Sequence, residues 1–151
     1  MKHYRAFVRT LWWVYMAWLF VFVVVKFRGS FAELRERVVS VQEWEHYNLI
    51  PFATIRVQLR FLSRGWAWFN LLGNTVSFIP FGFILPLVSE RMDRLWKVML
   101  AGIVSVVLIE LFQYYTQLGS LDVDDLILNM AGIVCGYFLL WCTGRLGRRA
   151  G

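Results

Sequence analysis

The residues from 65 to 89 form a run of 25 amino acids without a charged side chain. A helix needs about 20 predominantly apolar residues to cross the hydrocarbon core of a bilayer. The run therefore predicts a transmembrane helix over residues 66–88. A helix satisfies its own backbone hydrogen bonds inside the bilayer, which few other structures can do. Pro80 and Pro86 lie inside it, so we expect the helix to be kinked or interrupted there.

Three further apolar runs predict three further spans, over residues 6–27, 98–118 and 126–144. The composition agrees, because 59% of the 151 residues are hydrophobic and 17% are charged, whereas soluble domains carry about 25% charged residues. The predicted fold is an all-α membrane protein. It forms a single domain over residues 1–151, with a four-transmembrane-helix bundle.

The first apolar run has a second interpretation, a cleaved signal peptide. The segment Ser30-Phe31-Ala32 resembles a cleavage site with small residues. However, Lys26 and Arg28 separate the run from that site, and the run is bulky and aromatic. We interpret it as a retained transmembrane helix.

The first loop contains two patterns typical of amphipathic, interfacial helices. In residues 28–47 apolar side chains recur every three or four positions, which predicts a surface helix. Further on, Arg56, Arg60 and Arg64 step by four and form one basic face of a short helix. These arginines are candidates for binding lipid headgroups. Simple anchoring to anionic headgroups explains the same pattern.

Basic residues predict how the chain crosses the membrane. The N-terminus, the loop 90–97 and the C-terminal tail each carry three lysines or arginines, whereas the turn 119–125 carries none. Basic segments stay preferentially in the cytoplasm. We therefore expect a multi-pass protein of the cell membrane with both termini cytoplasmic. Membrane lipids also explain the net charge of +6 better than nucleic acid does.

Polar residues inside the predicted spans recur at helical spacing. Asn70 with Asn74, and Glu110 with Gln113, each lie on one face of a span, and Asn129 in the last span continues a face that begins with Asp122 and Asp125 in the preceding turn. With a rise of about 1.5 Å per residue, the sets reach similar depths in the outer half of the bilayer. Because intramembrane polar residues usually face a protein interior or a wet cavity, they predict one outward-facing polar pocket.

Simpler roles account for part of this pattern. Amides in membrane helices often only bond across helices. Asp122 can be a helix N-cap and Asp125 an N3 residue, and Gly132 and Gly136 suit helix packing. Glu110 is harder to explain, since a buried glutamate must pair with an arginine, bind a cation or stay protonated. A divalent cation is one option, with Glu110, Asp122 and Asp125 as its candidate ligands.

Several of these motifs occur together in one known family. They are the loop Asn48-Leu49-Ile50-Pro51-Phe52, the segment from Asn70 through Asn74 to Gly82, Glu110 with Gln113, and the series Asp122, Asp125, Asn129, Gly132 and Gly136. Over residues 48–140 the chain resembles the VanZ-like family, which is associated with resistance to glycopeptide antibiotics such as teicoplanin. The resemblance implies a membrane protein that acts near cell-envelope components.

The chain departs from the family pattern at one place. An arginine often found just before the aspartates is replaced by Ser120-Leu121. If that arginine holds a phosphate, Arg56, Arg60 or Arg64 would have to take its place.

Three functions are compatible with the sequence. The first is a non-enzymatic protein that binds a membrane lipid, a lipid-linked cell-wall precursor or a glycopeptide in the pocket. The second is a metal- or carboxylate-dependent enzyme acting on a lipid-linked substrate, for which no catalytic residue is assigned. The third is ion transport through Glu110, which would require a dimer. The candidate pocket comprises Asn48, Pro51, Phe52, Asn70, Asn74, Glu110, Gln113, Asp122, Asp125 and Asn129.

Overall fold

The computed structural model describes residues 2–38, 47–116 and 121–144. Within these ranges the chain is mostly helical. The helices are α1 (Lys2–Val38), α2 (Ala53–Arg60), α3 (Gly65–Val88), α4 (Leu95–Tyr115) and α5 (Val123–Cys142). Two short strands, β1 (Tyr47–Asn48) and β2 (Leu121–Asp122), precede α2 and α5.

Three described helices are long and apolar enough to cross a membrane. The qualifying segments are Ala67–Val88 in α3, Leu95–Tyr115 in α4 and Val123–Cys142 in α5. Together they indicate a membrane protein. The expected fourth span, residues 6–27, lies within α1 and stays a prediction.

The first loop differs from the sequence prediction in its helix boundaries. Helix α1 continues to Val38, so residues 28–38 extend the first helix instead of beginning a separate one. The rest of the predicted surface helix, residues 39–46, lies outside the described residues. Helix α2 forms where the arginine pattern predicted a short helix, but it ends at Arg60, and Arg64 directly precedes α3.

Helix α3 is continuous through both of its internal prolines. The interruption that Pro80 and Pro86 suggested is therefore not observed. Each proline removes a single N–H donor, and in a helical bundle neighbouring groups can satisfy the carbonyl that is freed. The polar residues before Pro80 thus stay in one helix with the apolar residues after it.

Helices α3 and α5 form the most extensive helix contact of the fold. At Gly132 a β-carbon would overlap the carbonyl oxygen of Thr75, and at Gly136 it would overlap that of Ile79. Gly82 approaches the backbone of α5 in the same way from the other side. The two backbones are therefore in direct contact, which small residues allow in membrane helices. The packing role predicted for Gly132 and Gly136 is confirmed.

Helix α1 packs on α3 through aromatic side chains and one buried hydrogen bond. The Tyr15 hydroxyl donates to the Ser77 carbonyl at 2.8 Å. The ring of Trp12 meets that of Phe81 edge-on, with 5.2 Å between centroids. The buried apolar core that includes these contacts comprises Tyr15, Leu19, Phe78, Phe81, Leu85, Val98, Val106 and Ile133.

Two long-range contacts define one end of the bundle. Arg5 of α1 forms an ion pair of 2.7 Å with Glu90, in the loop between α3 and α4. The Tyr137 hydroxyl of α5 donates to the Asp93 carbonyl in the same loop, at 2.9 Å. The beginning of α1 and the end of α5 therefore lie at the end that carries this basic loop. The beginnings of α3 and α5 and the end of α4 lie at the opposite end.

That opposite end contains a feature absent from the predicted all-α fold. Strands β1 and β2 pair in parallel, with Tyr47 opposite Leu121 and Asn48 opposite Asp122. The sequence had suggested a loop and a turn at these positions, because a two-residue strand is too short for a periodic pattern. The pairing attaches the segment that leads into α2 to the beginning of α5.

Candidate functional site

Buried polar side chains gather at the end of the bundle that the strand pair closes. We call them the polar cluster: Gln58, Asn74, Glu110, Gln113, Asp122, Asp124, Asp125 and Asn129, each at most 9% exposed. They come from α2, α3, α4, α5 and the residue before α5. Four of them are carboxylates. No lysine, arginine or histidine is buried among the residues whose side chains the structure describes.

Asp122 connects α5 to the segment 47–60. As the N-cap of α5 it accepts a hydrogen bond from the Asp124 N–H at 2.9 Å, which confirms the predicted cap. Its other carboxylate oxygen accepts a bond of 2.6 Å from the Thr54 hydroxyl. The Asn48 amide nitrogen donates to both Asp122 and Thr54, at 3.3 and 2.9 Å. Both oxygens of the Asp122 carboxylate are therefore bound within the fold.

Asp124, a residue of α5, caps the beginning of α2. Its two oxygens accept hydrogen bonds from the backbone N–H groups of Phe52, at 2.5 Å, and Ile55, at 2.9 Å. The N-cap residue of α2 is Phe52, which supplies no side-chain bond of its own and has a left-handed backbone with φ of 64°. Because the first N–H groups of a helix lack internal partners, a carboxylate from α5 satisfies two of them.

Asp125 and Glu110 bring α3, α4 and α5 together. The Asn74 amide donates to Asp125 across the α3–α5 contact. Glu110 accepts a bond of 3.4 Å from the Asp122 N–H. Glu110 is also close enough to Asp125 and Asp122 for their charges to interact. Two buried carboxylates from different helices, Glu110 and Asp125, thus lie within electrostatic range of each other.

Three amide atoms in the cluster are buried without a hydrogen-bond partner. They are Gln58 Oε1, Gln113 Nε2 and Asn129 Oδ1. Gln113 follows Glu110 by three residues and Asn129 follows Asp125 by four, so each lies on the same helix face as its carboxylate. Native proteins seldom leave buried polar atoms unpaired. This part of the cluster has hydrogen-bonding capacity that the described residues do not use.

The other predicted pocket residues contribute less to the cluster interior. Pro51 and Phe52 have exposed side chains, and Phe52 contributes its backbone N–H. Asn70 is half-buried and lies one turn before Asn74. Asn48 is half-buried and belongs to the hydrogen-bonded connection around Asp122.

Sequence reasoning missed three members of this site. Asp124 falls outside the three-four spacing that selected Asp122 and Asp125, and only the tertiary fold reveals its partners in α2. Thr54 was missed because only the tertiary fold reveals its bond to Asp122. Gln58 did carry a signal, because it lies midway between Arg56 and Arg60 and therefore on the face opposite to the basic one.

The arginines lie on a different surface from the polar cluster. Arg56, Arg60 and Arg64 are all exposed. Arg56 and Arg60 are each two positions from the buried Gln58, which places them about 200° around the helix from it. The basic face of α2 is thus turned away from the cluster. The structure does not support the substitution of these arginines for a phosphate-binding arginine inside the pocket, while their binding of headgroups at the surface stays a prediction.

Metal binding was a further expectation for the carboxylates. Within residues 2–38, 47–116 and 121–144, no three His, Cys, Asp or Glu side chains are grouped in a way that could hold a metal ion. Asp122, one of the three candidate ligands, has both of its oxygens bound by donors of the chain. The proposal of a divalent cation stays a prediction.

Comparison with known proteins identifies the family. The model of the VanZ/LLP1 family matches residues 12–144. The chain belongs to the VanZ/LLP1 family. This confirms the resemblance seen over residues 48–140 and extends it into α1, so that the match includes Tyr15, which bonds to α3. No curated protein and no solved structure matches this VanZ/LLP1 chain.

Proposed function

We propose that this VanZ/LLP1 protein binds the headgroup of an envelope lipid in the polar cluster and thereby lowers susceptibility to glycopeptide antibiotics such as teicoplanin. The unused capacity of the cluster is the observation that carries the proposal. Within the described part of the chain, Glu110 accepts only one long hydrogen bond, and Gln113 and Asn129 each bury an atom that has no partner there. A cluster that served only to connect helices would be expected to satisfy its own buried groups.

The position of the cluster suits a lipid headgroup. The loop with Arg91 and Arg94, together with Lys97 in the first turn of α4, lies at the opposite end of the bundle, and such basic segments are preferentially cytoplasmic. On that basis the cluster belongs to the outer half of the bilayer. Glu110 lies five residues before the end of α4, or about 7.5 Å along the helix. That depth is close to the boundary between headgroups and acyl chains.

The outer surface of α2 suits a position in the same boundary. Val57 and Leu59 are exposed beside Arg56 and Arg60. Exposed apolar and basic side chains on one short helix are typical of interfacial segments, in which arginines contact lipid phosphates. In this arrangement the arginines anchor α2 to the bulk lipid, and the cluster beneath it selects a headgroup.

Antibiotic susceptibility tests the proposal. The full chain would be expressed in a glycopeptide-susceptible bacterium, and the minimal inhibitory concentration of teicoplanin would be measured. The wild-type chain should raise that concentration, whereas Glu110→Gln should not. Glu90→Gln, the same chemical change at the other end of the bundle, is the matched control and should behave as wild type. Unchanged susceptibility with a well-expressed wild-type chain would refute the resistance function.

A second function, an enzyme acting on a lipid-linked substrate, is favoured by one observation. Glu110 and Asp125 are buried carboxylates whose charges interact. Such pairs often separate into an acid and a base. Incubating the protein with a radiolabelled lipid-linked cell-wall precursor, followed by thin-layer chromatography, distinguishes this function from binding. Precursor that is retained but unchanged favours binding alone.

A further inference from the structure

The four carboxylates of the polar cluster differ in how far the fold already uses them. Asp122 and Asp124 accept five hydrogen bonds between them, from Asn48, Thr54 and three backbone N–H groups. Asp125 is bound by Asn74. From the described residues Glu110 accepts only the bond of 3.4 Å from the Asp122 N–H. Among the described residues, the carboxylate that the fold uses least, and that is most available to a ligand, is therefore Glu110.

The unpaired amide atoms indicate what such a ligand must offer. Gln58 Oε1 and Asn129 Oδ1 are acceptors that need donors, and Gln113 Nε2 is a donor that needs an acceptor. A fitting group carries several donors, positive charge and an oxygen close by. An anionic group fits poorly, because the part of the chain with described side chains buries no basic residue to receive it.

We infer that the inner ligand of the polar cluster is a primary ammonium group, carried by a zwitterionic lipid headgroup of the ethanolamine type. The ammonium donates to Glu110 and to the carbonyl oxygens of Asn129 and Gln58, and Gln113 donates to an uncharged ester oxygen of the same lipid. The inference rests on the proposed function, since it specifies which headgroup the same site selects.

A metal ion is a weaker candidate for the same position. The described residues contain no group of three acidic, histidine or cysteine side chains arranged for a metal. An ammonium requires only one or two carboxylates, because neutral carbonyl oxygens accept its remaining protons. The observed set, with one underused carboxylate and two unpaired carbonyl oxygens, matches that requirement.

Lipid competition tests the inference. The purified full chain, in phosphatidylcholine nanodiscs, would be offered equal amounts of phosphatidylethanolamine, phosphatidylglycerol or a neutral diglycosyl diacylglycerol. Retained lipid would be counted by native mass spectrometry. Phosphatidylethanolamine should be retained at least tenfold better than the other two. Glu110→Gln should lose that preference, and Glu90→Gln should keep it.

The outcomes separate this inference from the proposed function. Preference for the glycolipid or for phosphatidylglycerol would overturn the ammonium assignment and leave headgroup binding intact. Equal retention of all three lipids would overturn both. Binding of free ethanolamine without any preference for phosphatidylethanolamine would make a soluble amine the ligand and overturn the lipid assignment. The comparison among lipids uses the wild-type chain, so it holds even where Glu110→Gln does not fold.

Discussion

The carboxylate of Asp124 accepts a hydrogen bond of 2.5 Å from the backbone N–H of Phe52, which lies 72 positions earlier in the chain. The same carboxylate binds the N–H of Ile55. Helix α2 has eight residues and no cap of its own, and isolated helices of that length are marginal in water. The beginning of α5 therefore stabilises the segment that closes the polar cluster.

This relationship predicts the effect of Asp124→Asn. An asparagine keeps one acceptor oxygen but presents an NH₂ group in place of the other, so either Phe52 or Ile55 loses its partner. A buried unpaired N–H costs about 1–3 kcal/mol. We expect a lower detergent melting temperature and faster amide exchange in α2. Asp93→Asn, at an exposed position, is the matched control. Equal exchange in α2 for both variants would contradict the capping role.

Glu110 and Asp125, the two carboxylates with a proposed functional role, should respond to substitution differently from Asp124. Glu110→Gln and Asp125→Asn remove negative charge but keep size and hydrogen-bonding capacity, and neutralising a buried carboxylate lowers the cost of burying it. We expect melting temperatures close to that of the wild type and loss of teicoplanin resistance. Glu90→Gln and Asp93→Asn, which lie outside the cluster, should retain resistance. Full resistance in the two cluster variants would show that charge is not needed, and lost stability in both would assign these residues to the fold.

The contact between α3 and α5 predicts a strong effect at a single glycine. In Gly132→Ala the added methyl overlaps the Thr75 carbonyl, which belongs to backbone and cannot rotate away. Overpacking of this kind costs about 1–3 kcal/mol. A lower melting temperature and a weakened Asn74–Asp125 contact should follow. Gly65→Ala is the control, because a β-carbon there meets no atom within 4 Å. Similar melting temperatures for both variants would contradict direct backbone contact.

The loop between α3 and α4, at the end of the bundle opposite to the polar cluster, has a predictable pH response. The hydrogen bond from Lys97 lowers the pKa of Asp93 below its ordinary value of about 3.9. A lowered pKa means that the folded state favours the charged form. The contribution of this pair to stability is thus present above the ordinary pKa and is lost as the pH falls through the lowered one. Titration by NMR should show the pKa of Asp93 rising toward its ordinary value in Lys97→Met, and an unchanged pKa would contradict the assigned cause.

Much of the architecture could be predicted from the sequence because membranes simplify the problem. Apolar runs predicted α3, α4 and α5 within a few residues of their observed ends, since length and hydropathy suffice for such helices. The spacing of Gly132 and Gly136 predicted a packing face that the structure confirms. The extension of α1 to Val38 was not predicted, because its last part is charged and resembles a surface helix.

The candidate site was predictable only where its residues share a helix face. Glu110 and Gln113, or Asp125 and Asn129, follow a local period that sequence reveals. Asp124 does not, because its partners belong to a distant segment and its position breaks that period. The strand pair was not predicted for a similar reason, since two residues on each side specify no register.

The pairing of β1 with β2 has a consequence for how the protein is made. Chains are synthesised from the N-terminus, so β1 and α2 leave the ribosome well before the residues that pair with them. Until Asp122 and Asp124 have followed, the donors of Thr54, Phe52 and Ile55 lack the acceptors that the finished fold gives them. The polar cluster is completed only when the last described helix is inserted. A truncated nascent chain would contain every residue of α2 and α3 and still lack the polar cluster.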